Sequence, residues 1–170
     1  MKELKELILT YKNYPKVGVD FKDLLGIVQE PSIFRKLITI MASSRIIKNA
    51  EAIISIDARG FIFGSAISLQ ASKPMLVARK PGKLPGELTT KSYELEYGNN
   101  SLSIQKEALK KYQSYAIVDD LLATGGTVNC VSDLLSDNNK KVVGLLVVAE
   151  LVKLKGRARI DFPIESIIDL

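Results

Sequence analysis

Residues 115–127 read Tyr-Ala-Ile-Val-Asp-Asp-Leu-Leu-Ala-Thr-Gly-Gly-Thr and combine a short apolar run, two carboxylates and a glycine-rich turn. Tyr115 to Val118 predict a buried strand, and a helix is expected over 126–135. The glycine pair lets the intervening turn approach a ligand closely, and its backbone N–H groups can bind a phosphate. Asp119 and Asp120 would repel that anion unless they bind hydroxyl groups or a cation. A ribose 5-phosphate meets both conditions, because its diol donates to the carboxylates while its phosphate binds the turn.

Predicted strands and helices alternate along the rest of the chain. Further strands are expected at 52–56, 75–78 and 142–148, and further helices at 60–70 and from Pro31 past Met41. Such alternation implies right-handed βαβ crossovers and a mainly parallel, twisted sheet flanked by helices, an α/β fold. Ligands of these sheets bind at the carboxyl ends of the strands.

Two segments, 11–26 and 80–100, lie outside this alternation. Leu4, Leu7, Ile8 and Tyr11 share one face of a predicted amphipathic N-terminal helix. The second segment opens with Lys-Pro-Gly-Lys-Leu-Pro-Gly and continues into alternating large and polar residues, which predicts a mobile flap on a hairpin.

Composition and length limit the class of protein. The chain has 170 residues, enough for one core, with 46% hydrophobic and 25% charged residues, so one globular domain over 1–170 is expected. Its one cysteine, Cys130, falls in a predicted helix and is interpreted as a buried thiol, which fits a reducing compartment. The most apolar run, Val142 to Ala149, is far shorter than the roughly 20 residues of a membrane span, so a soluble cytoplasmic protein is predicted.

A net charge of +5 raises the question of a nucleic-acid partner. The notable basic row is Lys153, Lys155, Arg157 and Arg159. It is either a phosphate-binding stripe or a solvated face, and the solvated face is favoured because no aromatic residues interleave with it. No nucleic-acid partner is predicted, and the basic excess suits a polyanionic substrate.

A second strand–turn–helix junction lies at 54–61, where Arg59 is followed by Gly60. A guanidinium in such a turn can bind a phosphate through two hydrogen bonds. By itself this is weak support, but on the same sheet edge as Asp119 and Asp120 the turn supplies a second anion site. Lys80 and Lys83 extend the positive charge, and the flap would close over the gap. A ribose with phosphate at one end and pyrophosphate at the other needs all three parts.

Five stretches carry a resemblance to a known family. They are Phe21-Lys22-Asp23, Ala-Arg-Gly-Phe-Ile-Phe-Gly at 58–64, Arg-Lys-Pro-Gly-Lys-Leu-Pro-Gly at 79–86, Ser-Tyr-Glu-Leu-Glu-Tyr-Gly at 92–98, and Val118 to Thr127. Over nearly its whole length the sequence resembles the adenine phosphoribosyltransferase family. The resemblance implies a type I phosphoribosyltransferase fold with a small N-terminal hood at 1–30 and a flexible catalytic flap at 80–100.

The resemblance also implies which residues bind the sugar and the phosphates. Asp119 and Asp120 would bind the ribose hydroxyls, and the 5-phosphate would bind to Ala123, Thr124, Gly125, Gly126 and Thr127. Asp57, Ala58, Arg59 and Gly60 would form the pyrophosphate loop, with Arg59 as its catalytic cation. Arg79 and Lys80 would reach the same site, in this family often from the neighbouring subunit, so a homodimer is expected. Lys83 would approach the leaving group when the flap closes. Mg²⁺ would be carried by the pyrophosphate, with no metal site on the protein itself.

On the base side, the resemblance implies adenine between Phe21 and Leu121, with Lys22 nearby. Glu96 matches the family's catalytic glutamate, which handles a proton on the purine, and Tyr97 follows it as a substrate-binding residue. The chain has no histidine, so proton transfer must fall to a carboxylate, lysine, tyrosine or water.

The implied activity is magnesium-dependent purine salvage, in which adenine and phosphoribosyl pyrophosphate give AMP and pyrophosphate. Two alternatives remain open. One is a different base (hypoxanthine, guanine or xanthine), since Lys22 stands where the family commonly has arginine and Asp20 where it usually has an apolar residue. The other is a non-catalytic regulator that binds phosphoribosyl pyrophosphate, which is disfavoured because 170 residues leave no room for a nucleic-acid-binding module.

Overall fold

The computed structural model describes residues 2–95 and 98–170, and a parallel sheet forms its centre. In chain order the helices and strands of these ranges are α1 (Lys2–Glu6), β1 (Leu9–Tyr11), β2 (Phe21–Asp23), α2 (Leu25–Val28), α3 (Pro31–Ala42), α4 (Arg45–Asn49), β3 (Ala52–Ile56), α5 (Gly60–Ala71), β4 (Met75–Ala78), β5 (Leu88–Leu95), β6 (Gly98–Gln105), α6 (Lys106–Leu109), β7 (Ser114–Leu122), α7 (Gly126–Asp137), β8 (Lys141–Glu150) and β9 (Ile164–Asp169). Short 3₁₀ helices at Val152–Leu154 and Gly156–Arg159 connect β8 to β9.

The central sheet has the strand order β4-β3-β7-β8-β9, and every neighbouring pair in it is parallel. Helices α5 and α7 are the crossovers from β3 to β4 and from β7 to β8. The predicted α/β fold with a parallel sheet flanked by helices is therefore confirmed. The predicted strands at 52–56 and 75–78 agree with the observed bounds of β3 and β4.

Strand β7 is longer than its apolar run predicts. It continues from Val118 to Leu122, because main-chain pairing with β8 extends to Leu121↔Ala149 and Leu122↔Glu150. Asp119 and Asp120 consequently lie within the strand rather than in the turn that follows it.

The N-terminal helix is shorter than predicted. Helix α1 ends at Glu6, and Tyr11 lies in β1, which pairs antiparallel with β2 in the register Tyr11↔Phe21. The prediction of a helix reaching Tyr11 was wrong, because pairing with a strand distant in sequence overrides the local periodicity.

Strand β9 has no counterpart in the sequence-based prediction. It pairs in parallel with β8 from Leu145↔Ile164 to Glu150↔Asp169. Most of its residues are half-buried. A half-buried strand at the edge of a sheet lacks the continuous apolar run that identifies a central parallel strand.

A hairpin formed by β5 and β6 occupies and extends the segment predicted as a flap. Its antiparallel register runs from Leu88↔Gln105 to Leu95↔Gly98. Its stem is attached to α7, since Lys91 Nζ donates to Asp137 Oδ2 at 2.9 Å and Asn138 Nδ2 donates to Thr89 Oγ1 at 3.1 Å. Mobility of the hairpin, and the division into hood and flap, stay predictions.

Strand β7 contributes to the core on both faces of the sheet. Ala116 and Val118 pack in a cluster with α3 and α5, whereas Tyr115 and Ile117 pack in a cluster with α7 and the hairpin. Alternate residues of a strand point to opposite faces, so a strand buried on both sides is apolar throughout.

Cys130 lies in α7 and is buried, as predicted. Burial raises the pKa of its thiol to about 11. A raised pKa keeps the group in its unreactive thiol form.

Helices α3, α5 and α7 each have 12 residues. Within the described ranges, no helix has the length and apolar character needed to cross a membrane.

Helix α5 packs against β3 through Gly64, where a Cβ atom would overlap the Ser55 hydroxyl and lie 2.7 Å from the Ser55 Cβ. We expect Gly64→Ala to lower the free energy of unfolding by about 1–3 kcal/mol through overpacking. Ser65→Ala, at the exposed neighbouring position, should change it by less than about 0.5 kcal/mol. Urea denaturation of both variants measures the difference, and equal stabilities would contradict the close helix–strand contact.

Candidate active site

The carboxyl ends of β3 and β7 lie side by side, because Ser55 pairs with Val118 in a parallel register. Each strand leads into a loop: 57–59 follows β3, and 123–125 follows β7. The two predicted anion-binding turns therefore meet at one edge of the sheet, the position at which open parallel sheets bind ligands.

The second loop forms a small cavity at the N-terminus of α7. Gly125 precedes the helix with φ of +86°, a left-handed conformation that glycine adopts without strain. The cavity has a volume of about 70 Å³, and its lining includes Asp119, Leu121, Leu122, Ala123, Thr124, Gly125, Gly126 and Thr127. Backbone N–H groups in the first turn of a helix have no partner within the helix and can bind an anion.

Asp119 and Asp120 lie at the end of β7 beside that cavity. Asp120 is 4% exposed and Asp119 is half-buried. Asp119 Oδ1 accepts a hydrogen bond from Asp120 N at 2.8 Å. Burial, and then the carboxylate of Asp120, raise the pKa of Asp119 well above its usual range. Burial also raises the pKa of Asp120, while Arg59 opposes that shift.

Gly60 allows the start of α5 to approach the end of β7. A Cβ atom at Gly60 would lie 2.7 Å from Asp119 Oδ1. Any side chain at this first residue of α5 would therefore displace the Asp119 carboxylate. In the loop before Gly60, the peptide bond between Asp57 and Ala58 is cis.

Arg59 links the sheet edge to the N-terminal strands. Its Nε lies 2.8 Å from Asp120 Oδ2, and its Nη1 donates to the carbonyl oxygen of Lys22 at 3.0 Å. The guanidinium carbon also lies 4.7 Å from the centre of the Phe21 ring, within range of a cation–π contact. One arginine thus contacts the predicted base-stacking residue, its neighbour and a predicted ribose ligand.

Arg79 occupies the other side of the 57–59 loop. Its Nε lies 3.0 Å from Asp57 Oδ2, and its Nη1 donates to the carbonyl oxygen of Lys83 at 3.3 Å. Lys80 and Lys83 are exposed. The structure therefore brings Arg79 to the predicted pyrophosphate loop of its own chain and leaves the two lysines open to solvent.

The remaining predicted residues lie around these groups. Lys22 Nζ donates to Thr10 Oγ1 at 2.9 Å, so strand β1 holds its side chain, and Asp20 is exposed. Leu121 is half-buried in the cavity lining. Glu96 and Tyr97 lie outside the described residues.

Tyr93 is a neighbour of the predicted phosphate-binding turn, and no site prediction included it. Thr127 Oγ1 donates to its hydroxyl at 3.4 Å, and a Cβ atom at Gly126 would lie 3.6 Å from its ring. Its place in the alternating pattern of the hairpin was a usable signal, because alternate residues of a strand share a face. Which face meets α7 is decided only by packing.

Comparisons with known proteins agree with this geometry. The sequence matches the phosphoribosyl transferase domain over residues 27–169. It is 75% identical over 166 residues to an adenine phosphoribosyltransferase of Prochlorococcus marinus strain MIT 9312, with 98% of each chain covered. It is 42% identical over 159 residues to that of Mycoplasmopsis agalactiae strain PG2, with 94% of this chain and 92% of the relative covered.

Solved structures show the same similarity. The adenine phosphoribosyltransferase of Thermoanaerobacter pseudethanolicus superposes with a TM-score of 0.93 at 35% identity, covering 99% of both chains. The Saccharomyces cerevisiae enzyme, complexed with an imino-altritol bisphosphate and adenine, superposes with a TM-score of 0.84 at 32% identity, covering 98% of this chain and 97% of the other. With two predicted anion-binding turns at one sheet edge and these relatives along nearly its full length, the chain belongs to the adenine phosphoribosyltransferase family.

Proposed function

We propose that this chain transfers the 5-phosphoribosyl group of phosphoribosyl pyrophosphate to adenine, and that the edge formed by β3 and β7 binds both substrates. The observation that carries the proposal is the meeting of Arg59 with Asp120 beside the cavity at the start of α7. The yeast relative with adenine and a sugar bisphosphate analogue in one structure supports the same pairing of ligands.

The cavity at the start of α7 suits the 5-phosphate. The N–H groups of the turn 123–127 and the helix dipole of α7 both favour an anion there. Asp119 and Asp120 lie at the end of β7, and only Leu121 and Leu122 separate them from this turn. Their carboxylates accept hydrogen bonds from the hydroxyl groups.

Arg59 exchanges partners when the substrates bind. In the free protein its guanidinium compensates the buried Asp120 and covers a face of the Phe21 ring. The pyrophosphate of the substrate offers it a stronger anionic partner, while the diol offers Asp120 new donors. Movement of the guanidinium toward pyrophosphate then exposes Phe21 for stacking with the purine, which has Leu121 on its other side.

Leaving-group stabilisation falls to the residues around the 57–60 loop. The substrate is the magnesium complex of phosphoribosyl pyrophosphate, whose Mg²⁺ neutralises part of the charge that develops on pyrophosphate. Arg59, Arg79, Lys80 and Lys83 supply the protein's positive charge. Because Lys80 and Lys83 are exposed on the turn before β5, a small movement of that turn brings their ammonium groups closer to the leaving group.

Charge placement dominates the reaction at the anomeric carbon. Displacement of pyrophosphate gives the ribose oxocarbenium character, which the neighbouring carboxylates Asp119 and Asp120 stabilise electrostatically. A proton on the purine must be handled as the new bond forms, and Glu96 is the residue proposed for it, since the chain has no histidine.

A homodimer and a cytoplasmic location are part of the same proposal. In a dimer, Arg79 and Lys80 of a neighbouring subunit would add to the pyrophosphate site. Within one chain Arg79 already contacts Asp57 of the proposed pyrophosphate loop.

Turnover of the four purine bases tests the reaction and its base. We expect adenine to be used with a kcat/KM at least about 10²-fold above those of hypoxanthine, guanine and xanthine, because a site that hydrogen-bonds an exocyclic amine rejects a base lacking it. The measurement is AMP formation against phosphoribosyl pyrophosphate with Mg²⁺. No turnover of adenine would refute the proposal, and turnover of a different base would move the chain's specificity to that base.

Glu96→Gln tests the proton-handling role. The substitution keeps the shape of the side chain and removes its basicity, so kcat should fall by about 10²-fold or more. The affinity for phosphoribosyl pyrophosphate should change by less than about twofold, since the proton is handled on the purine. Glu94→Gln removes the same charge two residues earlier and should leave kcat unchanged. An unaltered kcat in Glu96→Gln removes this residue from the mechanism.

Asp119→Asn tests the electrostatic cost of the carboxylate pair in the free protein. Because the folded-state pKa of Asp119 is raised, its contribution to stability is fully present below its unfolded pKa of about 3.9 and is lost as pH rises through the folded value. Asn has no such titration, so the variant should exceed the wild type in free energy of unfolding by on the order of 1 kcal/mol at about pH 8, and less toward pH 4.

Denaturation by urea across this pH range, without ligand, measures the difference. Asp161→Asn, at an exposed position, is the control and should follow the wild type. The same Asp119→Asn variant should bind ribose 5-phosphate more weakly than the wild type. A variant no more stable than the wild type at any pH contradicts the raised pKa, and unchanged ligand binding contradicts the diol assignment.

A further inference from the structure

We propose that Arg157 is a positioning residue for the 5-phosphate site. The buried Glu150 holds its guanidinium, and this contact keeps the backbone of Gly156 packed against the phosphate turn 123–127. This inference rests on the proposed function, because it assumes that the turn binds the 5-phosphate. It assigns a role to one member of the basic row that the sequence pattern assigned to solvent.

Glu150 is placed where it can influence the turn. It is the last residue of β8, 4% exposed, and it pairs with Leu122, the last residue of β7 before the turn. A carboxylate buried at this position needs a partner, because an unpaired buried charge is strongly unfavourable.

Arg157 is that partner, and its guanidinium is held at several points. Its Nε donates to both carboxylate oxygens of Glu150, at 3.2 and 3.1 Å, and its Nη2 donates to Oε2 at 2.5 Å. Its Nη1 donates to the carbonyl oxygen of Ile164 in β9 at 3.1 Å. A guanidinium with this many contacts has one orientation, so the main chain that carries it is also fixed.

The residue before Arg157 touches the phosphate turn directly. Gly156 is buried, and a Cβ atom on it would overlap the carbonyl oxygen of Ala123 and lie 3.2 Å from the backbone nitrogen of Gly125. A Cβ atom on Gly125 would in turn lie 3.1 Å from the carbonyl oxygen of Gly156. The two backbones are therefore in contact, with no side chain between them to absorb a displacement.

A second contact ties the same segment to α7. Asn129 Nδ2 donates to the carbonyl oxygen of Arg159 at 3.0 Å. The 3₁₀ helix Gly156–Arg159 is thus held by Glu150 at one side and packed on the turn and α7 at the other. We call this segment the support.

The support influences phosphate binding by orienting the N–H groups of the turn rather than by adding positive charge. A phosphate in the turn is held by several N–H groups whose orientation depends on the backbone, and a displacement of 1 Å at such a site can cost about 10²-fold in activity. Arg157 and Glu150 together are neutral, although the Arg157 side chain is itself 47% exposed, and Lys153, Lys155 and Arg159 are exposed as well. Removing the charge of Arg159 therefore tests the electrostatic field of the row, and removing that of Arg157 tests the support.

Arg157→Gln, Arg157→Lys and Arg159→Gln are the variants to compare. We expect Arg157→Gln to raise the KM for phosphoribosyl pyrophosphate and the Kd for ribose 5-phosphate about tenfold. The kcat at saturation and the KM for adenine should change by less than about twofold, because the base site and the reacting atoms are elsewhere. Arg157→Lys should recover part of the loss by pairing with Glu150 through fewer contacts, and Arg159→Gln should match the wild type.

Gly156→Ala tests the support without disturbing the ion pair, and it replaces Arg157→Gln if that variant does not fold. It should weaken ribose 5-phosphate binding and raise the KM for phosphoribosyl pyrophosphate, while the KM for adenine stays nearly unchanged. Glu150→Gln combined with Arg157→Gln should lose no more affinity than either single variant, since both break one interaction.

Calorimetric binding of ribose 5-phosphate separates this inference from the proposed function. If the wild type shows no turnover with adenine, the proposed function fails, while the binding comparison still decides the role of Arg157. If the wild type is active and folded Arg157→Gln or Gly156→Ala binds ribose 5-phosphate normally, the support is refuted. The support is also refuted if the KM values for phosphoribosyl pyrophosphate and adenine rise by the same factor. It is refuted as well if Arg159→Gln loses as much affinity for ribose 5-phosphate as Arg157→Gln does.

Discussion

Parallel pairing of β3 with β7 places the loop that carries Arg59 beside Asp119 and Asp120. Neither strand end contains the whole candidate site, because the loop after β3 carries Arg59, whereas β7 carries the two carboxylates and leads into the predicted phosphate-binding turn. Gly60 lets them approach, since any larger residue would displace Asp119 Oδ1. The arrangement of Arg59, Asp119 and Asp120 thus depends on main-chain hydrogen bonds in the centre of the sheet. Such placement on rigid strands gives a site more precision than placement on loops alone.

The two carboxylates at the end of β7 are costly to bury, and their neighbours compensate them unequally. Asp120 has a cationic partner in Arg59, while burial and a like charge raise the pKa of Asp119. Neither arrangement is the most stable one available to a core. In the proposed reaction, a diol and a pyrophosphate would replace these internal contacts with better-matched ones, so relief of the unfavourable burial would contribute to the binding free energy. Functional sites commonly carry such local costs in stability.

Local patterns in the sequence predict much of the fold and of the site. The strands β3 and β4 and the start of α3 follow from apolar runs and from Pro31, and the turn after β7 follows from its glycines. Non-local pairing accounts for the errors. Strand β1 forms because it pairs with β2, and β7 extends through two aspartates because β8 continues beside it. Strand β9 is only half-buried at the sheet edge, so its sequence has no strong apolar pattern. Tyr93 and Gly156 join the site through packing, which leaves no local trace in their own segments.

The sequence by itself determined the class of fold and the chemistry of the site, because both depend on residues that are contiguous in the chain. A buried strand, two carboxylates and a glycine turn lie together in 115–127 and bring their functional groups with them. Only the tertiary structure decided that Arg59 covers Phe21 and pairs with Asp120, and that Glu150 holds Arg157 while Gly156 packs against the turn 123–127. These contacts join segments that meet only after the sheet has formed. Their geometry is set by strand order and register, which no short run of residues specifies.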